Sequence, residues 1–571
     1  MIITLINFVW IFVCCASVGM LIVTFVSWFT GKKFYNEPDI WIWLGIAGVT
    51  IYSEIFSLFY RVGLLSNLIL GLVAVGIIIG MRKELPYYIV PIIHVLKKRI
   101  EFAVVIGLVV IFFAAAATRT PVFYDTDLYH AQAIQWIERY GVVRGLGNFH
   151  NRFAYNSAFL CLQALFSWSS IIGQSLHGMN AFLGAVMTLY AIMTFSPIRG
   201  KKMRISDFIN LLIVYYICRS LTDISSPNTD FSVMLIVLYV FSKWIGGGGI
   251  SSEQKDYKDE EVLSILILFG ITIKFSILPM ALYLIKPLFR YMKEKRWRDI
   301  GICFAMACVV MVPFIIRNVV ISGYVLYPCA WLDLLCVDWK MPAYMAIRDN
   351  HEIMAWGRTL NDVRKYGMPF REWFPIWLSH IGNGYAFLVV INFVLGGITV
   401  LRILLLTVRR KWKNNMEKMA ILITAAVCLL TWLFTAPLIR YGQVYLYLIP
   451  VIYAGEVFLY MNRKWILNTI CIVMVYVLAG RSYFYVMDRE GRIPLLMPDD
   501  YIERPVEGLD FQGITVYVPL EKDLTGYQHF PATPYAGLLD VIEMRGSDLK
   551  AGFRMKAEYR NARVTNSGNL E

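Results

Sequence analysis

From residue 3 to residue 29 the chain carries no charged side chain, and similarly apolar runs recur along most of its length. A bilayer core is about 30 Å thick, and a helix needs roughly 20 mostly apolar residues to cross it. Water is absent there, so each run must close its backbone hydrogen bonds internally, as an α-helix does. Composition agrees: 58% of the 571 residues are hydrophobic and only 16% charged, against about 25% charged in soluble domains. Disordered-scaffold and nucleic-acid-binding readings fall on these grounds. The chain reads as an all-α polytopic membrane protein.

Candidate spans are 3–29, 39–60, 64–80, 99–118, 176–196, 206–222, 228–245, 260–273, 275–289, 299–320, 383–407, 418–436, 442–460 and 465–482. The first run lacks a basic n-region and a clear small-residue cleavage site, so it reads as a span and not a signal peptide. The net charge of +14 lies largely in clusters between runs: Lys32-Lys33, Arg82-Lys83, Lys97 to Arg99, Arg199 to Arg204, Lys286 to Arg298, Arg409 to Lys413 and Arg463-Lys464. With 260–289 split at Lys274, about fourteen spans put every cluster on one side, as the positive-inside rule requires. Both termini then lie outside. The large outer loops are 119–175 and 321–382. The expectation is a transmembrane domain over 1–482 and a small α/β extracytoplasmic domain over 483–571. Gly513 to Pro519 reads as a strand, Tyr535 to Met544 as a helix, and 246–260 as a mobile inner loop.

Leu128, Ala131, Ile134 and Ile137 recur at every third residue with polar residues between, which predicts an amphipathic helix lying on the membrane surface. Ala158 to Gly173 reads as a second interfacial or re-entrant piece. Cysteines fall mostly inside apolar runs; Cys329 and Cys336 share an outer loop, either as a disulfide or as free thiols. The same loop holds Trp331, Trp339, Trp356, Trp373 and Trp377, most of them assigned to the membrane interface.

Ionisable groups near membrane depth are functional candidates. This topology collects Asp125, Asp127, His130, Asp223, Asp230, Lys274, Arg317, Arg348 and Arg440 at the outer ends of spans or in outer loops. In Phe123-Tyr-Asp-Thr-Asp-Leu-Tyr-His130, an acid or Thr126 could simply cap the next helix. Alternatively Asp125 or Asp127 is a general base, its pKa raised at a dry interface, or the two acids hold a divalent ion, Mg or Mn. His130 is a ligand, a proton carrier or a structural residue. His351, Glu352, Arg348, Asp349 and His380 are loop candidates for sugar contacts, and Arg371 could pair with Glu372.

The Asp125 loop resembles the first outer loop of the GT-C superfamily of polyprenyl-phosphate-sugar-dependent membrane glycosyltransferases. Those enzymes carry an acidic pair at the end of a span, then a surface helix with an aromatic residue and often a His. Asp125 takes the first acidic position, Thr126 replaces the common Glu, and Tyr129-His130 match the downstream pair. Asp127 could substitute for the missing acid, so the base stays open between the two. Ser225 to Asp230, Gly270 to Lys274, Arg317-Asn318 with Ser322 to Pro328, and Ala436 to Tyr441 resemble later motifs in the family's order, over roughly 99–480. The tail, with Pro531 to Tyr535, Met544 to Gly546 and Gly552 to Arg554, is similar to bacterial membrane proteins associated with surface polysaccharides.

The resemblance implies transfer of a sugar from a polyprenyl-phosphate donor to a glycan, lipid or protein acceptor at the periplasmic face of a bacterial inner membrane. It implies single displacement, with Asp125 or Asp127 as base and Tyr129, His130, Asp230 and Tyr441 about the substrate. Lys274, Arg317 and above all Arg440 would clamp the phosphate; snorkelling at a helix end is the alternative for Lys274 and Arg317. A surface-polysaccharide polymerase and a carrier or flippase of lipid-linked saccharides are the rival readings.

Overall fold

The computed structural model describes residues 1–31, 34, 37–249, 259–409, 415–461, scattered positions in 469–485, and 493–560. Among the described residues, seven helices are long and apolar enough to cross a membrane: Ile2–Phe29, Pro38–Phe59, Thr229–Gly247, Trp297–Ser322, Asn383–Val408, Met416–Thr435 and Ile439–Met461. An eighth arises if Leu64–Gly80 and Leu85–Lys98, bent by 88° at their junction, form one broken span. The chain is thus a mostly helical membrane protein, and length and apolarity give seven or eight spans where the sequence suggests fourteen.

The difference lies in short helices. Ile100–Ala116, Met179–Thr194, Ile205–Arg219 and Glu260–Ile273 are apolar but run 14 to 17 residues. At 1.5 Å per residue the longest reaches only about 26 Å. The expected span 275–289 is a 3-10 turn, Phe275–Ala281, followed by a twelve-residue helix, Leu282–Lys293. The segments 465–482 and 246–260 lie largely outside the described residues.

The first two helices pack backbone to backbone. A Cβ on Gly19 would fall 1.7 Å from the Trp41 carbonyl oxygen, and one on Gly45 1.7 Å from that of Cys15. Small residues at such a crossing gain close van der Waals contact that lipid cannot supply. Thr229–Trp244 is the central strut, buried at almost every position, and the Asn228 side chain caps it by accepting from the Asp230 N–H at 2.7 Å.

Two expected surface elements are interior. Residues 131 to 137 are all buried, because the helix's polar stripe meets the C-terminal region and not lipid headgroups. Gln132 donates to the carbonyls of Gly526 (3.0 Å) and His529 (2.7 Å), and Tyr527 donates to Glu138 at 2.6 Å. Ala158–Phe166 is likewise fully buried.

The C-terminal region is small and sheet-bearing. Val506–Phe511 pairs antiparallel with Ile514–Pro519 across a Gln512-Gly513 turn with φ of 54° and 83°, and Ile542–Met544 pairs with Phe553–Met555. Positive φ at both turn positions matches the right-handed twist of a hairpin. The strand expected from Gly513 is present; the expected helix is confined to Ala536–Val541. In the loop after residue 321, Trp373 and Trp377 are buried and not interfacial, whereas Trp331 and Trp356 are exposed. Cys329 and Cys336 are free thiols.

Candidate functional site

Four segments far apart in sequence bring their charges together. Asp125 precedes a single π-turn, Thr126–His130, which leads into the buried helix Ala131–Tyr140. Asp230 sits in the first turn of the central strut, where an acid also suits the helix dipole. Lys274 stands where Glu260–Ile273 ends and the backbone turns extended (φ −152°, ψ 127°). Arg440 opens Ile439–Met461, and the turn before it is pinned by two indoles, Trp377 donating to Pro437 O (2.8 Å) and Trp432 to Leu438 O (2.9 Å).

Arg440 donates from Nη2 to both oxygens of Asp125, at 3.1 and 2.9 Å, and its Nε lies 3.8 Å from Asp230. Lys274 hydrogen-bonds the other oxygen of Asp230 and stands 3.7 Å over the Tyr441 ring. Two cations thus face two carboxylates, with Tyr441 and Phe123 as aromatic walls against Arg440.

These groups border a cavity of about 400 Å³. Asp125, Tyr129, His130, Lys274, Arg317, Arg440 and Tyr441 line it; Asp230 stands behind as the shared partner of Lys274 and Arg440. Burial lifts the Asp125 carboxyl, but the nearby charges, Arg440 foremost, outweigh it and hold the group below the ordinary carboxylate range. The expected upward shift is therefore reversed, because a guanidinium touches the acid. Burial pushes His130 down to about 3, so its imidazole is neutral at physiological pH, and neither ring nitrogen has a hydrogen-bond partner among the described residues. Asp223, on the neighbouring turn Leu221–Asp223, is raised to about 6 by burial and by the charge of Asp230.

Arg317 does not snorkel. It is 2% exposed, in the body of Trp297–Ser322, and donates to Asn156 Oδ1 at 3.0 Å and to Ser57 Oγ. No carboxylate lies within ion-pairing distance among the described residues; Glu54, buried on the Ser57 helix, acts on it only through space. Phe314 and Ile321, about one turn to either side, line the same cavity.

Asp127 does not join them. It is held by Arg504 of the C-terminal region through Nε (2.9 Å) and Nη2, and its carbonyl accepts from Thr525 and Gly526 at 2.9 and 3.0 Å. Burial nonetheless raises its carboxyl, against the pull of Arg504. Since Asp125 and Asp127 are each bound by a different guanidinium, they do not form a common donor set, and the pair does not fit a shared divalent ion. Among the described residues no three His, Cys, Asp or Glu side chains converge as a metal site.

A second buried network borders the cavity. Arg152 meets Asp349 at 2.9 Å and Glu352 at 3.4 Å, and Tyr327 donates to Asp349 at 3.2 Å. Asp349 and Glu352, expected to touch sugar directly, are thus occupied by protein partners. Arg348 pairs with Glu352 (3.1 Å), His351 stacks flat on Tyr366 at 3.5 Å, and His380 bonds the Ile376 carbonyl in the open. Arg371 lies 3.9 Å from Glu372. Arg152 and Arg504 escaped the sequence reading: no motif marks them, and Arg152 and Glu352 stand 200 positions apart. Tyr327 lies within the Ser322 to Pro328 motif, which gives it no role of its own.

Fold and site together define a helical membrane protein with a charge-lined internal cavity, whose first long loop is clasped by a C-terminal sheet region. Residues 1–447 match the family described as a domain of unknown function, DUF8201, and the chain belongs to that family. No curated protein and no solved structure matches it.

Proposed function

We propose that this protein is a membrane glycosyltransferase of GT-C type, moving a sugar from a polyprenyl-phosphate donor to a glycan, lipid or protein acceptor. In this reading the chain makes about fourteen spans, the short apolar helices among them, in a bacterial inner membrane, with the cavity and C-terminal region at the periplasmic face. The supporting observation is the convergence of Asp125, Lys274 and Arg440 on one cavity, with Asp230 behind them as the partner of both cations. Apolar lining from Ile137, Leu160, Phe314 and Ile321 suits an isoprenoid chain.

The chemistry follows from the charges. An acceptor hydroxyl attacks the anomeric carbon, Asp125 takes its proton, and the bond from that carbon to the phosphate oxygen breaks with inversion. Polyprenyl phosphate leaves with the bonding pair. Arg440, Lys274 and Arg317 stabilise the negative charge that grows on it. Paired with Arg440, Asp125 is a weak base. A phosphate that draws Arg440 away removes the counter-charge and restores basicity, so donor binding and base activation are one event. Tyr129, His130 and Tyr441 border the sugar, the neutral His130 offering one donor and one acceptor.

Transfer of radiolabel from polyprenyl-phosphate-linked sugars, in detergent, tests this against the carrier reading. Label appearing in an acceptor supports catalysis; release or movement of intact donor alone leaves the carrier. Donors bearing one sugar or an oligosaccharide separate a transferase from a polymerase.

A further inference from the structure

We propose that Arg152, Tyr155, Tyr327 and Trp356 form a second subsite of the cavity that binds the ring of an uncharged sugar. The proposal rests on the transfer reading only in naming that sugar as part of the acceptor. All four residues line the cavity. Trp356 is 47% exposed, presents an indole 5.6 Å from the Arg152 guanidinium, and belongs to Ala343–Gly357, a helix outside the candidate spans. Tyr155 and Tyr327 meet edge to face at 5.4 Å. The open Trp356 indole offers a face for the C–H side of a pyranose, flanked by Tyr155 and Tyr327, whose hydroxyls are turned into the protein: Tyr327 donates to Asp349 and the Tyr155 hydroxyl is buried.

The polar groups set the charge class. Arg152 is 7% exposed, and its two Nη atoms are taken up by Asp349 and Glu352. Its Nε is buried and has no hydrogen-bond partner among the described residues. A buried donor left unpaired is costly, so an added acceptor such as a sugar hydroxyl is favourable there. Arg152, Arg348, Asp349 and Glu352 together carry no net charge, so this network offers no free cation to an anionic sugar. Asp125, Tyr129 and Arg152 line the same cavity, so a ring held here shares it with the proposed base.

Saturation-transfer NMR on the full chain in detergent tests the subsite, with methyl glycosides of glucose, galactose, mannose and N-acetylglucosamine, and with glucuronate, as probes. At least one neutral glycoside should saturate, with glucuronate weaker. Trp356→Ala should weaken binding at least about tenfold, Trp356→Phe should retain most of it, and Trp331→Ala, at an exposed indole outside the cavity, should leave it unchanged. Absence of saturation by every neutral glycoside, preference for glucuronate, or indifference to Trp356→Ala overturns the proposal. Saturable binding in a protein that transfers no label supports the subsite and removes the transferase reading alone.

Discussion

Arg440 has two claims on it, the carboxylate of Asp125 and the anion expected in the cavity, and its loss should show in a pH profile. Asp125 is held below its ordinary range, so it stays ionised to lower pH than the roughly 3.9 of a free aspartate. The base form exists above the folded pKa and disappears as pH falls through it. The acid limb of the wild-type profile for the donor-free protein therefore lies low. In Arg440→Gln burial loses its main opponent, and the limb of kcat/KM should move upward along with a large drop in rate. An unmoved limb in an active variant would show that Arg440 does not govern Asp125. Asp125, Lys274 and Arg440 were legible in the sequence because each stands at the polar edge of an apolar run. Arg152 was not, and Asp349 stood out only as a loop candidate for sugar, since their pairing depends on how distant loops fold over one another.

At the scale of elements, the C-terminal region and the first loop stabilise each other, with Asp127–Arg504 as the buried tie between them. Asp127 is almost inaccessible, so removing its cation leaves a buried carboxylate unpaired. Arg504→Met should cost about 1–3 kcal/mol and speed hydrogen exchange in 123–140. Adding Asp127→Asn should recover much of that loss, because the orphaned charge is gone. Equal instability in the single and double variants would contradict the tie. The helix after Asp127 shows why its setting was misread. Amphipathicity predicts a polar face and an apolar face, but not whether water, headgroups or another part of the chain covers the polar one. Here Gly526, Tyr527 and His529 supply backbone carbonyls to it.

For the whole molecule, the apolar runs foretold a helical membrane protein, while the span count exceeded what length supports. A buried helix such as Met179–Thr194 is as apolar as a span, because protein interior and lipid select the same side chains. Orientation has a built-in reporter. Cys336 is an exposed thiol in the loop after residue 321. An impermeant maleimide should label it in intact spheroplasts if that loop is periplasmic, and Cys336→Ser should abolish that label. Labelling confined to inverted vesicles would reverse the assigned sides. The central claim, that Asp125 is the carboxylate that performs the chemistry, is tested most directly by complementation. A strain lacking the protein would carry Asp125→Asn or Asp127→Asn, with surface glycan profiled and membrane abundance of each variant measured. Loss of the glycan product in Asp125→Asn at normal abundance, with product retained in Asp127→Asn, is the predicted result. Wild-type glycan in Asp125→Asn would contradict it.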